Sequence, residues 1–218
     1  MSARQTARPR ATRSVEAGEA ALTHALFSRL AGSPHDWDAQ TIAECLELIA
    51  AVRRCETVPG GVDALAAAFA AATAGGLDAL ARRYSALFEV GTPEPPLPIR
   101  EELAATAAAG SKEEVVRFYD LFGYEVEPRF AWAPDHLGVL LEFLAWLAGA
   151  ESVAAAADAP SYALAQRDVL DRHVRHWLPG LAAEVCARDA DGPYAAIFAA
   201  LERYVAAEQR RLDRDAEA

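Results

Sequence analysis

The stretch "WAPDHLGVLLEFLAW", Trp132 to Trp146, decides how the rest of the 218-residue chain is read. Leu137, Leu140, Leu141, Leu144 and, just beyond the quotation, Leu147 recur at intervals of three and four, the spacing that lines up side chains on one face of an α-helix. Pro134 fits the first helical position, where a missing N–H costs nothing. Asp135 is then expected in the first turn, facing the positive end of the helix dipole. The same stretch sets an acid beside an imidazole, His136, at the mouth of an apolar helix, so it is also the first candidate for chemistry.

The helical period continues in both directions. Ile42, Cys45, Leu46, Ile49 and Val52 share it, as do Val115, Phe118, Tyr119 and Phe122, and then Tyr194, Ile197, Phe198, Leu201, Tyr204 and Val205. Ser111 and Glu114 have capping-box spacing, and Asp191 with Pro193 reads as the start of the last helix. Gly60-Gly61, Gly75-Gly76, Gly110, Gly123 and Pro179 separate helices. The alanine clusters at 66–72, 104–109 and 154–157 read as strong helix formers that let neighbouring helices approach closely. No stretch alternates with period two. The fold class expected is all-α: one compact helical domain of roughly eight to ten helices. Its expected bounds are 15–210, between a disordered basic tail at 1–14 and a polar C-terminal tail at 211–218.

One segment breaks the rhythm. Gly91-Thr-Pro-Glu-Pro-Pro-Leu-Pro98 holds four prolines, each lacking an N–H and restricting the residue before it, so a stiff extended connection is expected.

Composition excludes several function classes. The chain has 21 basic and 32 acidic residues and a formal charge of −11. Because Arg4, Arg8, Arg10 and Arg13 all precede the first acid, the remainder is more acidic still. Such a body repels nucleic-acid backbones and anionic lipid. No apolar run reaches the roughly 18 residues needed to span a bilayer, and the N-terminus has no continuous apolar signal region. Cys45, Cys55 and Cys186 are odd in number and lack CxxC spacing, which argues against disulfides or a zinc knuckle and fits a reducing cytoplasm. The expected location is cytoplasmic, with no nucleic-acid partner and no membrane insertion.

Catalytic signatures are missing too. Asp135 and Glu142 share a helix face, but two turns of helix place them on the order of ten ångströms apart, too far to hold one metal between them. His173 and His176, three apart beside Asp171, could bind zinc together, yet no HExxH or third ligand accompanies them. There is no GxSxG, no P-loop and no GxGxxG after a strand.

Taken in order, several motifs say more than their separate chemistry. They are Tyr84-x-x-Leu87-Phe88-Glu89-x-Gly91-x-Pro93-x-Pro95-Pro96-x-Pro98, then Phe118-Tyr119, then Pro134-Asp135-His136-Leu137 running into Leu141-Glu142-Phe143-Leu144-Ala145-Trp146-Leu147, then His173-x-x-His176-Trp177-x-Pro179. Over residues 20 to 205 this set resembles the TorD/DmsD/NarJ family of chaperones for molybdenum-enzyme maturation. The wording is most similar to chaperones serving the dimethylsulfide, ethylbenzene, selenate and chlorate group.

The resemblance implies a TorD-like helical fold, no catalytic turnover and no cofactor of its own. It implies a client: the signal region and apo form of a molybdopterin-dependent catalytic subunit of the dimethyl sulfoxide reductase superfamily. The chaperone would assist cofactor insertion and hold back twin-arginine export until the client has folded. Guanine nucleotide or the molybdenum cofactor would be a transient partner. The family's binding segment falls on Tyr84, Leu87, Phe88, Gly91, Pro95 and Pro96, and its Asp-His motif on Asp135 and His136, with Pro134 before them. Ala133 departs from the family pattern, which often has an acid there.

A leader with arginines followed by an apolar run calls for carboxylates beside an apolar groove. Asp135, Glu142 and Glu89 are the expected partners of the arginines, and Phe88, Trp132, Phe143 and Trp146 the expected apolar contacts. His136 is expected to titrate near neutral pH and modulate recognition. The alternative from another class is a metal- or haem-dependent helical enzyme using His136, His173 and His176.

Overall fold

The computed structural model describes residues 10–90 and 94–217; residues 1–9, Gly91 and Pro93 lie outside them. Among the described residues there are nine α-helices: α1 (Arg10–Ala31), α2 (Ala39–Cys55), α3 (Asp63–Ala74), α4 (Leu77–Tyr84), α5 (Ser111–Phe122), α6 (Leu137–Val153), α7 (Ala159–Val169), α8 (Leu178–Arg188) and α9 (Pro193–Ala216). Two continue as π-helical turns, α4 through Ser85–Glu89 and α7 through Leu170–Val174. The β pairing among these residues is one isolated antiparallel bridge, Arg100 to His136. The all-helical reading holds.

The leucine stripe is the centre of the molecule. Leu137, Leu140, Leu141, Leu144 and Leu147 have no exposed surface, and burial of each is worth about 1.5 to 3 kcal/mol. Phe143 and Val139 are buried on the other sides, so between Leu137 and Ala148 only Glu142 and Trp146 face solvent. A helix enclosed this fully must be surrounded. α1 runs antiparallel along it, α7 packs on it, α2 covers α1, and α3 and α8 lie against α9.

Two serines fasten α1 to α6. Ser28 Oγ donates to the Gly138 carbonyl at 2.8 Å, and Ser14 Oγ donates to the Ser152 carbonyl at the other end. Close approach explains Gly138: a Cβ there would stand 3.3 Å from the Ser28 carbonyl oxygen and 3.2 Å from His136 Nδ1.

Helix starts differ from the sequence expectations. α6 begins at Leu137, with His136 as its extended cap at φ −66° and ψ 136°. Pro134 and Asp135 stay outside the helix because the chain there pairs with the end of the extended proline-rich segment: Leu137 N–H donates to the Ile99 carbonyl at 3.0 Å and Glu101 N–H to the Asp135 carbonyl at 3.1 Å. α5 is capped by Gly110, not Ser111, which is already the first helical residue and is buried. α9 does begin at Pro193, but the carboxylate that accepts its Tyr194 N–H, at 2.8 Å, belongs to Asp189 and not Asp191.

Alanine propensity also gave way. Residues 66–72 are helical, whereas 104–109 and 154–157 lie in connections, because a run of alanines with no larger apolar stripe has little to bury. At the chain ends, residues 10–14 form the first turns of α1, and Arg211 and Leu212 are buried in α9.

Among the described residues no single helix is long and apolar enough to cross a membrane; α3 and α4 reach that length together only across a bend of 115°. Cys45 is fully buried, and burial pushes its thiol up to about 11.

Candidate functional site

A cleft of about 1020 Å³ opens where the C-terminal half of α1, the π turn after α4, the extended proline-rich segment and the mouth of α6 converge. Tyr84, Phe88, Glu89, Pro95, Pro96, Trp132, His136 and Glu142 line it. Pro134, Asp135, Phe143 and Trp146 are not among its lining residues, and Gly91 lies outside the described residues.

The floor is rigid. Tyr84 and Phe88 project from α4 and its π turn and are all but buried. Their rings lie 4.9 Å apart, and Phe88 also stacks on Phe198 at 5.5 Å and meets Tyr194 edge-on at 5.8 Å. Burial raises the Tyr84 hydroxyl well above its ordinary pKa, with the charge of Glu89 adding to the effect.

His136 is wired into this floor. Its Nδ1 accepts the Gly138 N–H at 3.0 Å, capping α6. The proton of the neutral ring therefore sits on Nε2, which donates to Tyr84 Oη at 3.3 Å, while Tyr84 Oη donates to the Ala31 carbonyl at 3.4 Å. Burial, helped by the nearby Arg100 and opposed by the charges of Asp135 and Glu89, pushes the imidazole down to about 4. The expected titration near neutral pH is thus corrected: a cap that needs a bare Nδ1, in a desolvated setting, keeps the ring neutral.

The extended proline-rich segment forms one wall. Leu97 N–H donates to the Leu87 carbonyl at 2.7 Å, and Arg188 donates to the Pro95 carbonyl at 2.7 Å. Prolines leave few donors for further pairing, so Pro95, Pro96 and Pro98 present ring surface to the cleft instead.

Asp135 does not face this space. It has no exposed surface; Oδ1 accepts from Arg100 Nε at 3.4 Å and Oδ2 from the Glu102 N–H at 3.0 Å. Pro134 is buried, its carbonyl accepting from Tyr119 Oη at 2.7 Å.

The carboxylates that do face the cleft are Asp36, Glu89, Glu127 and Glu142. Glu127 is taken up by Arg129 at 2.6 Å. Glu89 lies 3.4 Å from His35 Nε2 and accepts from Ser85 Oγ. Trp132 is 65% exposed, with the Arg100 guanidinium 5.1 Å from its ring centre.

Phe143 and Trp146 belong to an aromatic cluster outside the cleft's lining. Phe143 is enclosed by Tyr119, Tyr124 and Trp146, with ring centres 4.7, 5.2 and 6.3 Å away. Trp146, 38% exposed, also meets Tyr162 on α7 at 6.3 Å.

The histidines do not assemble. His173 is buried, not solvent-facing, because the π turn aims it at the buried Glu101, Nδ1 to Oε2 at 3.0 Å. His176 Nε2 stands 3.6 Å from the other oxygen of Glu101, while His136 caps α6. Among the described residues no group of three or more His, Cys, Asp or Glu side chains could hold a metal ion.

Sequence reasoning passed over Arg100, Lys112, Trp37, Ile99 and Val139. Arg100 lies two residues past Pro98, the end of the proline-rich segment, which is the one local signal that could have singled it out.

An apolar, aromatic floor with acids at its edge suits a segment of chain that is both cationic and apolar, and the ordered motifs that build it span most of the protein. Residues 55–183 match the profile of the nitrate reductase delta subunit family. The chain belongs to that family, which is the TorD/NarJ family named by its motifs.

Two similar proteins are assembly chaperones. The selenate reductase assembly chaperone protein of Thauera selenatis is 38% identical over 109 residues, 49% of this chain and 55% of the relative. The chlorate reductase assembly chaperone protein of Ideonella dechloratans is 42% identical over 72 residues, 32% of this chain and 37% of the relative. The chain thus spans about half the length of the first relative and less of the second. No solved structure matches it significantly.

Proposed function

We propose that this protein is a cytoplasmic assembly chaperone, without catalytic turnover, for the catalytic subunit of a molybdopterin-dependent oxidoreductase of the dimethyl sulfoxide reductase superfamily. It binds the subunit's N-terminal signal region in the cleft, stays with the apo form while cofactor is inserted, and delays assembly or twin-arginine export until then. The observation that carries the reading is the cleft itself: a packed floor of Tyr84 and Phe88, ring surface from Pro95 and Pro96, and exposed Glu89 and Glu142 at its edge. Family membership and the likeness to selenate and chlorate reductase assembly chaperones support it.

Charge explains how encounter and grip divide. The negative body speeds association with a basic leader. Cationic side chains then meet carboxylates at the rim, and the apolar run settles against the aromatic and proline surfaces.

The test is calorimetric titration of the full-length protein with a synthetic peptide of two adjacent arginines followed by an apolar stretch. Binding that weakens with salt, and weakens again when the apolar residues become serine, is expected. A protein that binds no such peptide, and captures no molybdopterin oxidoreductase subunit co-expressed with it, would end this reading.

A further inference from the structure

The acid of the Asp-His motif and the exposed indole of Trp132 are joined through a closed set of contacts. Asp135, fully buried, holds Arg100 through Nε and caps the Glu102 N–H. Arg100 lies over one face of Trp132 and pairs with Glu102. Glu102 reaches Lys112 at 3.7 Å, and Lys112 donates to the Trp132 carbonyl at 3.3 Å. Trp132 is thereby fixed at side chain and backbone while 65% of it stays exposed at the cleft.

An acid in that position cannot reach a guanidinium in the cleft without releasing both Arg100 and the Glu102 N–H. A buried carboxylate stripped of its partners is costly. Glu89 and Glu142 are placed differently: both are exposed at the cleft, and among the described residues neither pairs with an arginine or lysine.

We propose that Asp135 is a positioning residue, which makes no contact with the client and sets Arg100 against one face of Trp132 so that the opposite face of the indole receives an apolar client side chain. The client's cationic groups go to Glu89 and Glu142. This rests on the client reading above and assigns roles within the same cleft.

The test uses the full-length protein with two peptides, one of two adjacent arginines followed by an apolar stretch and one with both arginines replaced by glutamine. Asp135→Asn is expected to weaken both by the same factor. Glu89→Gln and Glu142→Gln are expected to weaken the arginine peptide about fivefold or more while leaving the glutamine peptide nearly unchanged, as a direct contact requires. Adding Asp135→Asn to Trp132→Ala should cost nothing beyond Trp132→Ala alone. Arg100→Gln should reproduce Asp135→Asn, and stands in for it if circular dichroism finds that variant unfolded. An Asp135→Asn effect that vanishes with the glutamine peptide overturns the proposal.

If the wild-type protein binds neither peptide and captures no co-expressed oxidoreductase subunit, the client reading falls; in either case the positioning role is still decided in the free protein. Acrylamide quenching of Trp132 fluorescence, isolated by difference from Trp132→Phe, rises in Asp135→Asn if the acid holds the indole. Unchanged quenching overturns it.

Discussion

His136 Nε2 stands 3.3 Å from Tyr84 Oη, tying the mouth of α6 to the end of α4 across the floor of the cleft. The bond is possible because Gly138 N–H already occupies Nδ1, which leaves the single proton of a neutral ring on the side facing the tyrosine. His136 is therefore a structural joint between two walls of the site as well as part of its lining.

From that joint follows an order of substitutions. His136→Asn keeps an oxygen able to accept the Gly138 N–H, whereas His136→Ala leaves that donor and Tyr84 Oη without their partner. The alanine variant is expected to lose about 1 to 2 kcal/mol, and the asparagine variant clearly less. Urea unfolding of the two variants and the wild type measures this, and equal losses would show that the cap contributes little. Peptide affinity in the wild type should also carry no titration from this ring between about pH 6 and pH 8, since its pKa lies near 4.

His24 predicts a pH dependence of stability. It is fully buried, neither nitrogen has a hydrogen-bond partner among the described residues, and its ring meets Tyr204 edge-on at 5.0 Å. Burial, with the charge of Arg211 behind it, pushes the imidazole down to about 3. The folded pKa lies below that of an unfolded histidine, so the unfolded chain takes up a proton the native state refuses. Stability is then full above about pH 6.5 and falls as the pH drops toward the folded value. Between about pH 7 and pH 5 the loss from His24 should be on the order of 2 kcal/mol. Urea unfolding at both pH values should give a smaller drop for His24→Leu than for the wild type; parallel drops would mean that His24 is not the source.

Much of this architecture was legible and some could not have been. The α6 stripe announced itself because five leucines at helical spacing have nowhere to go but a core. Its starting residue did not, because the cap is set by pairing with Ile99 and Glu101, more than thirty residues away in sequence. The cleft's aromatic and proline surfaces could be located from Tyr84, Phe88, Pro95 and Pro96, whose local chemistry is distinctive. Which acids face the cleft could not: Asp135 and Glu142 are both carboxylates near one helix mouth, and only the position of Arg100 draws one into the interior. Phe143 and Trp146 share a string with the motif yet pack into an aromatic cluster with Tyr119, Tyr124 and Tyr162, a distinction that adjacency in sequence conceals.

Gly192 should tolerate no side chain. A Cβ there would overlap Arg83 Nη1 and the Asp189 carboxylate. Asp189 cannot swing aside cheaply, since it is 4% exposed, accepts the Tyr194 N–H at 2.8 Å and the Gly192 N–H on its carbonyl at 2.7 Å, and pairs with Arg83. Gly192→Ala is expected to cost on the order of 2 to 3 kcal/mol. Gly180→Ala, inside α8 with nothing within 4 Å of the new Cβ, should instead gain about 0.5 to 1 kcal/mol. Thermal unfolding of both variants decides whether the Asp189 cap is as tightly enclosed as these contacts imply.

The two partly exposed tryptophans near α6 should separate binding from stability. Trp132 stands at the cleft with the Arg100 guanidinium over its ring, while Trp146 rests on Phe143, Tyr124 and Tyr162 outside the cleft's lining. An indole presented to a bound segment is the kind of residue whose truncation removes most of a contact's energy. Trp132→Ala is therefore expected to weaken the arginine-plus-apolar peptide about tenfold or more and to shift the unfolding midpoint little. Trp146→Ala removes packing from an aromatic cluster, so it should lower stability by about 1 to 3 kcal/mol and leave affinity within about twofold of wild type. Calorimetric titration and urea unfolding on the same two proteins read both halves. Loss of affinity in Trp146→Ala at unchanged stability would move the client from the cleft to the face shared by α6 and α7.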